Sequence, residues 1–458
     1  MFKNPNIKQY KIIFRIGIPI VIAGIIQQTE ILINSAFLGR INTEYFAAVG
    51  NSIFPFILTL SFFWSVNTGT TVLAAQKLGA GKKVQAARLS ASAFKFNTLF
   101  SLAFFLFWII FPEQVFHLMG VREPILSYSV EYIRILSFVF LFVGAETTAA
   151  AILQAHGKTF PLFISGAVRS SINLFLSWVL IFGHFGFAPM EIRGAGIALV
   201  AAEFVGAAIT ISFLLANSRK FGINLSKIVK SKFENYKNIA RIGIPSGLEE
   251  IMWHFGNLII VRYMNSLGPG ETGIYTLVMR IEVVCFLFYS GFAKAAQTLA
   301  GHASGAGKKN EAARATYRCL KISILINVFF MILFGGFAKD LVSIFTKDSA
   351  MINSSYPYLI MVAFFLIPKA FNVVIGHGIR GIGDTKWMLY TQIFGTVFVV
   401  VMSYIMIFPL GLSLTGVYIT WITDEFVRAV INTLRFAKGR DFFLSFLNKL
   451  DRIRLRRT

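Results

Sequence analysis

Long apolar runs alternate with short polar ones along the whole chain. About twenty apolar residues cross a bilayer core as a helix. The runs predict twelve such spans, at about 11–38, 46–76, 86–111, 127–153, 160–184 and 194–217, then 236–266, 272–302, 313–337, 352–378, 386–409 and 414–436. A polar, basic stretch separates the sixth from the seventh. The expected domains are therefore 1–217 and 238–436, joined by a cytoplasmic connector at 218–237 and followed by a basic tail at 437–458. This predicts an all-α polytopic membrane protein with two six-helix lobes.

The lobes are copies of one unit. Gly79-Ala-Gly-Lys-Lys-Val-Gln-Ala-Ala-Arg88 returns as Gly305-Ala-Gly-Lys-Lys-Asn-Glu-Ala-Ala-Arg314, 226 positions later (305 − 79). In the same register Arg15-Ile-Gly-Ile-Pro19 returns as Arg241-Ile-Gly-Ile-Pro245, and Gly157-Lys-Thr159 as Gly383-Asp-Thr385. Six spans per copy make both copies enter the membrane in one direction, which predicts an axis along the membrane normal and a central cavity. Pro19, Pro55, Gly144, Pro245 and Pro368 are expected to break their spans. Such breaks persist only where protein or a wet cavity satisfies the freed backbone groups.

Composition agrees. With 56% hydrophobic and 14% charged residues, and a mean hydropathy of +0.67, the chain cannot furnish a polar surface for a soluble body of this size. The net charge of +23 is concentrated at Lys77–Arg88, Arg219–Arg241, Lys308–Lys321 and Arg435–Arg457, while 265–272 has no Lys or Arg. That is the positive-inside pattern. It places both termini in the cytoplasm and argues against a nucleic-acid partner. Lys449–Arg457 is expected to lie on anionic lipid headgroups. The first apolar run is too long for a cleavable signal. Cys285 and Cys319 lie in apolar spans as small core side chains, with no metal-ligand spacing. Six scattered histidines form no catalytic or metal constellation, so no enzyme is expected. The glycine-basic loops are not Walker loops, which leaves an ion gradient as the energy source.

Several motifs carry a family resemblance. They are Phe37-Leu-Gly39 ending span one, Leu78-Gly-Ala-Gly81 and Ser304-Gly-Ala-Gly307 after spans two and eight, and Asn173 in span five. Gly243-Ile-Pro-Ser-Gly-Leu-Glu249 in span seven and Ile379-Arg-Gly-Ile-Gly-Asp-Thr385 after span ten complete the set. In order and spacing, from about residue 10 to 435, the chain resembles the multidrug and toxic compound extrusion (MATE) family. The resemblance implies a rocker switch whose lobes expose a central cavity to each side in turn. It implies secondary active efflux of amphipathic or cationic organic compounds in exchange for Na+ or H+, with no other cofactor. The expected setting is a prokaryotic-type cytoplasmic membrane, with lipids and small-molecule drugs as partners. A chain with its own cavity is expected to act as a monomer.

Charges within spans are costly and mark functional candidates. Coupling calls for a carboxylate whose charge a proton or cation can reversibly neutralise. Where family members often carry acids, this chain has Asn34, Ser177 and Lys369. Glu30 lies one turn before Asn34 and Gln27 three residues further back. Gln27, Glu30 and Asn34 thus form a polar stripe expected to line the cavity, the alternative being a hydrogen-bonded helix contact. Glu249 matches the family's span-seven acid and is the favoured coupling carboxylate. Glu250 points about 100° away from it, one turn from His254 and suited to pair with it. A coupling Na+ would sit near Glu30, Asn34 or Glu249. Lys369 needs either a carboxylate, from among Glu249, Glu250 and Glu282, or an anionic substrate. A flippase of a lipid-linked or anionic substrate is accordingly the alternative function. Glu282, Lys294, Arg169, Glu146 and Glu203 are further candidates, whereas His302, alone near the end of span eight, reads as structural.

Overall fold

The computed structural model describes residues 5–39 and 42–437. The tail beyond Ala437, with Lys449–Arg457, lies outside the described residues. The first half forms α1 (Pro5–Gly39), α2 (Thr43–Gly79), α3 (Lys83–Ile110), a short α4 (Pro112–Leu118), α5 (Ile125–Ser137), α6 (Val143–Ala155), α7 (Phe160–Phe182) and α8 (Glu191–Ala216). After α9 (Ser218–Phe221) and α10 (Leu225–Val229) come α11 (Phe233–Leu267), α12 (Pro269–Gly305), α13 (Lys309–Ser343), α14 (Ser349–Gly381), α15 (Thr385–Ile407) and α16 (Ser413–Ala437). The repeat is visible in the helix ends. α2 and α12 begin and end 226 residues apart (269 − 43, 305 − 79).

Among the described residues nine helices are long and apolar enough to cross a membrane, ten with the bent pair α5–α6. The remaining two of the twelve, α11 and α16, are long helices diluted by charge: Glu249, Glu250 and Arg262 in one, Asp424, Glu425 and Arg428 in the other. These two helices carry much of the candidate chemistry.

Of the expected breaks, the one at Gly144 is found: the fourth span is not one helix. α5 and α6 meet at 48° across a 3-10 turn at Phe138–Leu141. Ser101 of α3 serves both sides of the break, donating to the Phe140 carbonyl and accepting from the Gly144 N–H at 3.2 Å. A Cβ at Gly144 would meet the Asn97 backbone. Conversely, the prolines do not break their helices. α1, α2, α11 and α14 run on through Pro19, Pro55, Pro245 and Pro368, because each proline removes only one intrahelical donor. Close to Pro368, Asn327 Nδ2 donates to the Leu366 carbonyl at 2.6 Å. Finally, the connector is packed structure. Phe221 and Ile223 are buried against Ala87, Ala149 and Leu153, and Lys95 Nζ donates to the Val229 carbonyl at 2.8 Å.

Packing divides the chain into two compact units that cut across the sequence halves. The first, termed the C-lobe, contains the described parts of Met1–Val21, Ala75–Gly81 and Leu248–Thr458. Its core surrounds Tyr289, Phe365, Leu366 and Tyr418. The second, the N-lobe, contains Ile22–Ala74 and Lys82–Gly247, with a core around Phe63, Phe116, Ile133 and Phe140.

Small residues permit the helix crossings inside each unit. In the C-lobe a Cβ at Gly291 would run into the Gly17 carbonyl, and in the N-lobe one at Gly243 would run into that of Ser65. The duplicated glycine loops have the same physical basis. Gly79 abuts the His302 carbonyl and Gly305 the Gln76 carbonyl, a reciprocal contact between the last turns of α2 and α12. The second glycine of each loop, Gly81 or Gly307, takes a left-handed φ of 74° or 75° and ends its helix. Gly305→Val should therefore force the two helix ends apart and cost about 1–3 kcal/mol. The readout is a lowered unfolding temperature in detergent; a temperature equal to the parent's would contradict this packing.

Candidate functional site

In the N-lobe, α7 presents Ser170, Asn173 and Ser177 along one face, at i, i+3 and i+7. Glu30 of α1 is only 6% exposed and receives the Ser170 hydroxyl on one carboxylate oxygen and Asn173 Nδ2 on the other. Ser177 Oγ donates to Asn173 Oδ1 at 3.1 Å, fixing the amide so that its N–H faces Glu30. Neutral donors thus hold this carboxylate, and no ion pair to it is present among the described residues. Asn34 Oδ1 is buried without a hydrogen-bond partner. Gln27 is exposed. The structure therefore brings Glu30, Asn173 and Ser177 together, while Gln27 stands apart from them.

Arg169, one residue before Ser170, reaches Glu203 of α8 at 3.2 Å. Glu146 and Glu30 also lie within its electrostatic reach. The guanidinium is thus matched by the Glu203 carboxylate.

The C-lobe is organised differently. Glu249 is clasped by Arg380, whose Nε donates to Oε2 at 3.2 Å and whose Nη2 reaches Oε1. Arg380 Nη1 donates to His377 Nδ1 at 3.2 Å. Lys369 pairs with Glu282 at 2.8 Å, and Glu282 is 2% exposed. Of the three carboxylates open to Lys369 in the sequence, the fold selects this one. Glu250 is exposed and makes no ion pair with His254 among the described residues. The expected pairing is not formed.

Sequence reasoning misses a third group, on α16. Arg428 Nε donates to both oxygens of Asp424, at 3.0 and 2.9 Å. Its Nη1 donates to Gln392 Oε1 at 3.0 Å. Glu425 stands 3.6 Å from the same guanidinium and accepts from Asn372 Nδ2 at 2.8 Å. Asn432 and Trp387 continue the chain of donors, at 2.8 and 2.9 Å. The signal for this group is an Asp–Arg pair at i, i+4 in an apolar helix. Across these groups four carboxylates (Glu249, Glu282, Asp424, Glu425) meet three bases (Arg380, Lys369, Arg428), leaving one negative charge in excess. Among the described residues no three His, Cys, Asp or Glu side chains are placed to hold a metal ion. Cys285 and Cys319 are free and buried.

Duplicated membrane helices with buried, partly uncompensated carboxylates define a membrane transport protein. The MatE family matches residues 19–179 and again 245–405, in the same 226-residue register (245 − 19), and the chain belongs to this multidrug and toxic compound extrusion family. It is 25% identical over 450 residues to the probable multidrug resistance protein NorM of Thermotoga maritima, covering 96% of each chain. It is 24% identical over 405 residues to the uncharacterized transporter YisQ of Bacillus subtilis, covering 87% of this chain and 88% of the other. Among solved structures, it resembles an outward-facing multidrug resistance MATE family transporter of the MOP superfamily. That match has a TM-score of 0.87 and 22% identity, over 96% of this chain and 97% of that one. A MOP superfamily transporter from Pyrococcus furiosus, described as having a binding pocket of reverse polarity that suggests a different function, matches with a TM-score of 0.85 and 22% identity, over 93% and 95%. These likenesses establish the fold.

Proposed function

We propose that this integral membrane protein is a cation-coupled antiporter, which exports amphipathic or cationic organic compounds against an inward flow of Na+ or H+. The observation that carries this reading is Glu30. It is a buried carboxylate held by neutral donors, one turn from the orphaned Asn34 oxygen, with no ion pair among the described residues. A proton on Glu30 would supply a donor for Asn34 Oδ1. A Na+ ion would instead take oxygens from Glu30 and Asn34, as hard cations prefer. Either event neutralises a buried charge, the step that lets an ion gradient drive a conformational change. Glu249, by contrast, already has its counter-charge in Arg380.

The basic loops support a cytoplasmic location for both termini, in a prokaryotic-type cytoplasmic membrane, with the protein working as a monomer among lipids. The anionic-substrate flippase rests on Lys369 as a free ammonium, and its pairing with Glu282 argues for export instead. In proteoliposomes, a fluorescent organic cation should be expelled faster when either a sodium or a proton gradient is imposed. Equal rates with and without both gradients would reject coupling.

A further inference from the structure

At the end of α12 away from the Gly305 loop, the C-lobe carries a cavity of about 740 Å³, a size that suits a small-molecule group. Thr272, Thr276, Leu277 and Arg280 of α12 line it on successive turns, with Asn265 of α11 and Phe345 beyond α13. Arg280 is exposed and forms no ion pair among the described residues, and no Asp or Glu lines the cavity. Thr272 Oγ1 donates to Asn265 Oδ1 at 3.1 Å, which leaves the Asn265 Nδ2 hydrogens as further donors. Leu277 and Phe345 make an apolar wall. Val284, one turn deeper than Arg280, continues the apolar surface at 39% exposure.

The depth of Arg280 decides what this cavity meets. α12 has 37 residues, about 55 Å of helix, against a hydrocarbon core of about 30 Å. Centred on the bilayer, it overhangs by about 12 Å on each side. The Arg280 Cα lies eleven residues from the helix start (280 − 269), about 16 Å along the axis, hence about 4 Å inside the hydrocarbon. Helical side chains lean toward the N-terminus, and arginine stretches its charge to the interface. The guanidinium thus reaches the level of the lipid phosphates, with an apolar path beneath it. A charge there needs an anion or water, and the guanidinium fork matches two phosphate oxygens. We infer that the cavity holds the phosphodiester headgroup of a phospholipid. Arg280 grips the phosphate, Asn265 Nδ2 donates to the oxygens of the headgroup, and an acyl chain runs down past Leu277 and Val284. With no carboxylate to receive an ammonium, the cavity favours phosphatidylglycerol over phosphatidylcholine. Such a lipid is a resident of the C-lobe surface rather than cargo.

Native mass spectrometry of the full-length protein, released from detergent with increasing dioleoyl phosphatidylglycerol, counts bound lipids one at a time. The first phosphatidylglycerol should bind Arg280→Gln about tenfold more weakly than the parent, the scale of one charge-assisted contact. Thr276→Phe fills the cavity without changing the charge and should weaken the first lipid comparably. General attraction of a basic protein for anionic lipid predicts no such loss. Lys220→Gln, which removes one exposed charge elsewhere, should keep the first affinity within about twofold of the parent's. Thr276 and Arg280 are exposed, so their variants keep the packed core, and unchanged unfolding temperatures in lipid-free detergent would verify it. Dioleoylglycerol lacks the phosphate and glycerophosphate lacks the chains, so neither should compete with the first lipid. Parent affinity in Arg280→Gln or in Thr276→Phe would overturn the proposal. So would a first site that takes dioleoyl phosphatidylcholine equally well, or one emptied by glycerophosphate, which would make the ligand a soluble anion.

Discussion

Glu30→Gln should reduce gradient-driven efflux at least about tenfold and leave a folded, membrane-inserted protein. Glutamine keeps the shape of the side chain and one oxygen for the Ser170 hydroxyl, so the helix contact survives. What disappears is the charge that a proton or cation could neutralise. A buried carboxylate in a span costs several kcal/mol unless compensated, and each 1.4 kcal/mol is a tenfold change in an equilibrium constant. Removing that charge therefore uncouples the ion from the cycle. The measurement is the initial efflux rate with and without an imposed gradient, beside Glu249→Gln. The two variants separate two models. If Glu30→Gln kept a rate within about twofold of the parent and Glu249→Gln lost it, coupling would run through the C-lobe.

Arg428→Met should be the most destabilising single substitution in the C-lobe. The guanidinium makes its contacts with Asp424 and Gln392 and lies beside Glu425. Removing it leaves two carboxylates side by side in a membrane helix without their base. Breaking a buried pair in this way costs about 3–5 kcal/mol. Replacing both partners costs much less, because no charge is stranded. Arg428→Met combined with Asp424→Asn should thus recover most of the loss. Thermal unfolding of the purified protein would read the difference. A single variant as stable as the parent would show that the network contributes nothing to the fold.

Much of this architecture is legible in the amino-acid sequence, and the reason differs by feature. Apolar runs report directly on membrane helices, so the predicted spans have nearly correct ends. The repeat is legible because Gly79, Gly81 and their copies answer steric demands that few other residues meet. Gly144 marks the split of the fourth span, but the same logic fails for the prolines. A proline's missing donor is a local fact, whereas whether the helix bends depends on what packs around it. The charge partners are the least legible. Lys369 has three carboxylates open to it, and helical spacing cannot rank contacts between helices far apart in sequence. Arg380 stands out as a motif landmark, yet nothing local ties it to Glu249, 131 residues away. Asp424, Glu425 and Arg428 escape notice because α16 reads as an ordinary span with a few charges.

The boundaries between the compact units have an ancestral implication. α1 changes unit between Val21 and Ile22, and α11 between Gly247 and Leu248, at equivalent points of the repeat 226 residues apart (247 − 21). Each helix donates its first half to a core built mainly from the other copy. A lone ancestral repeat would have lacked one wall of its own interior, and two separate chains could have supplied it only by trading helix ends, as swapped dimers do. With both copies in one chain, that exchange is held within a single molecule.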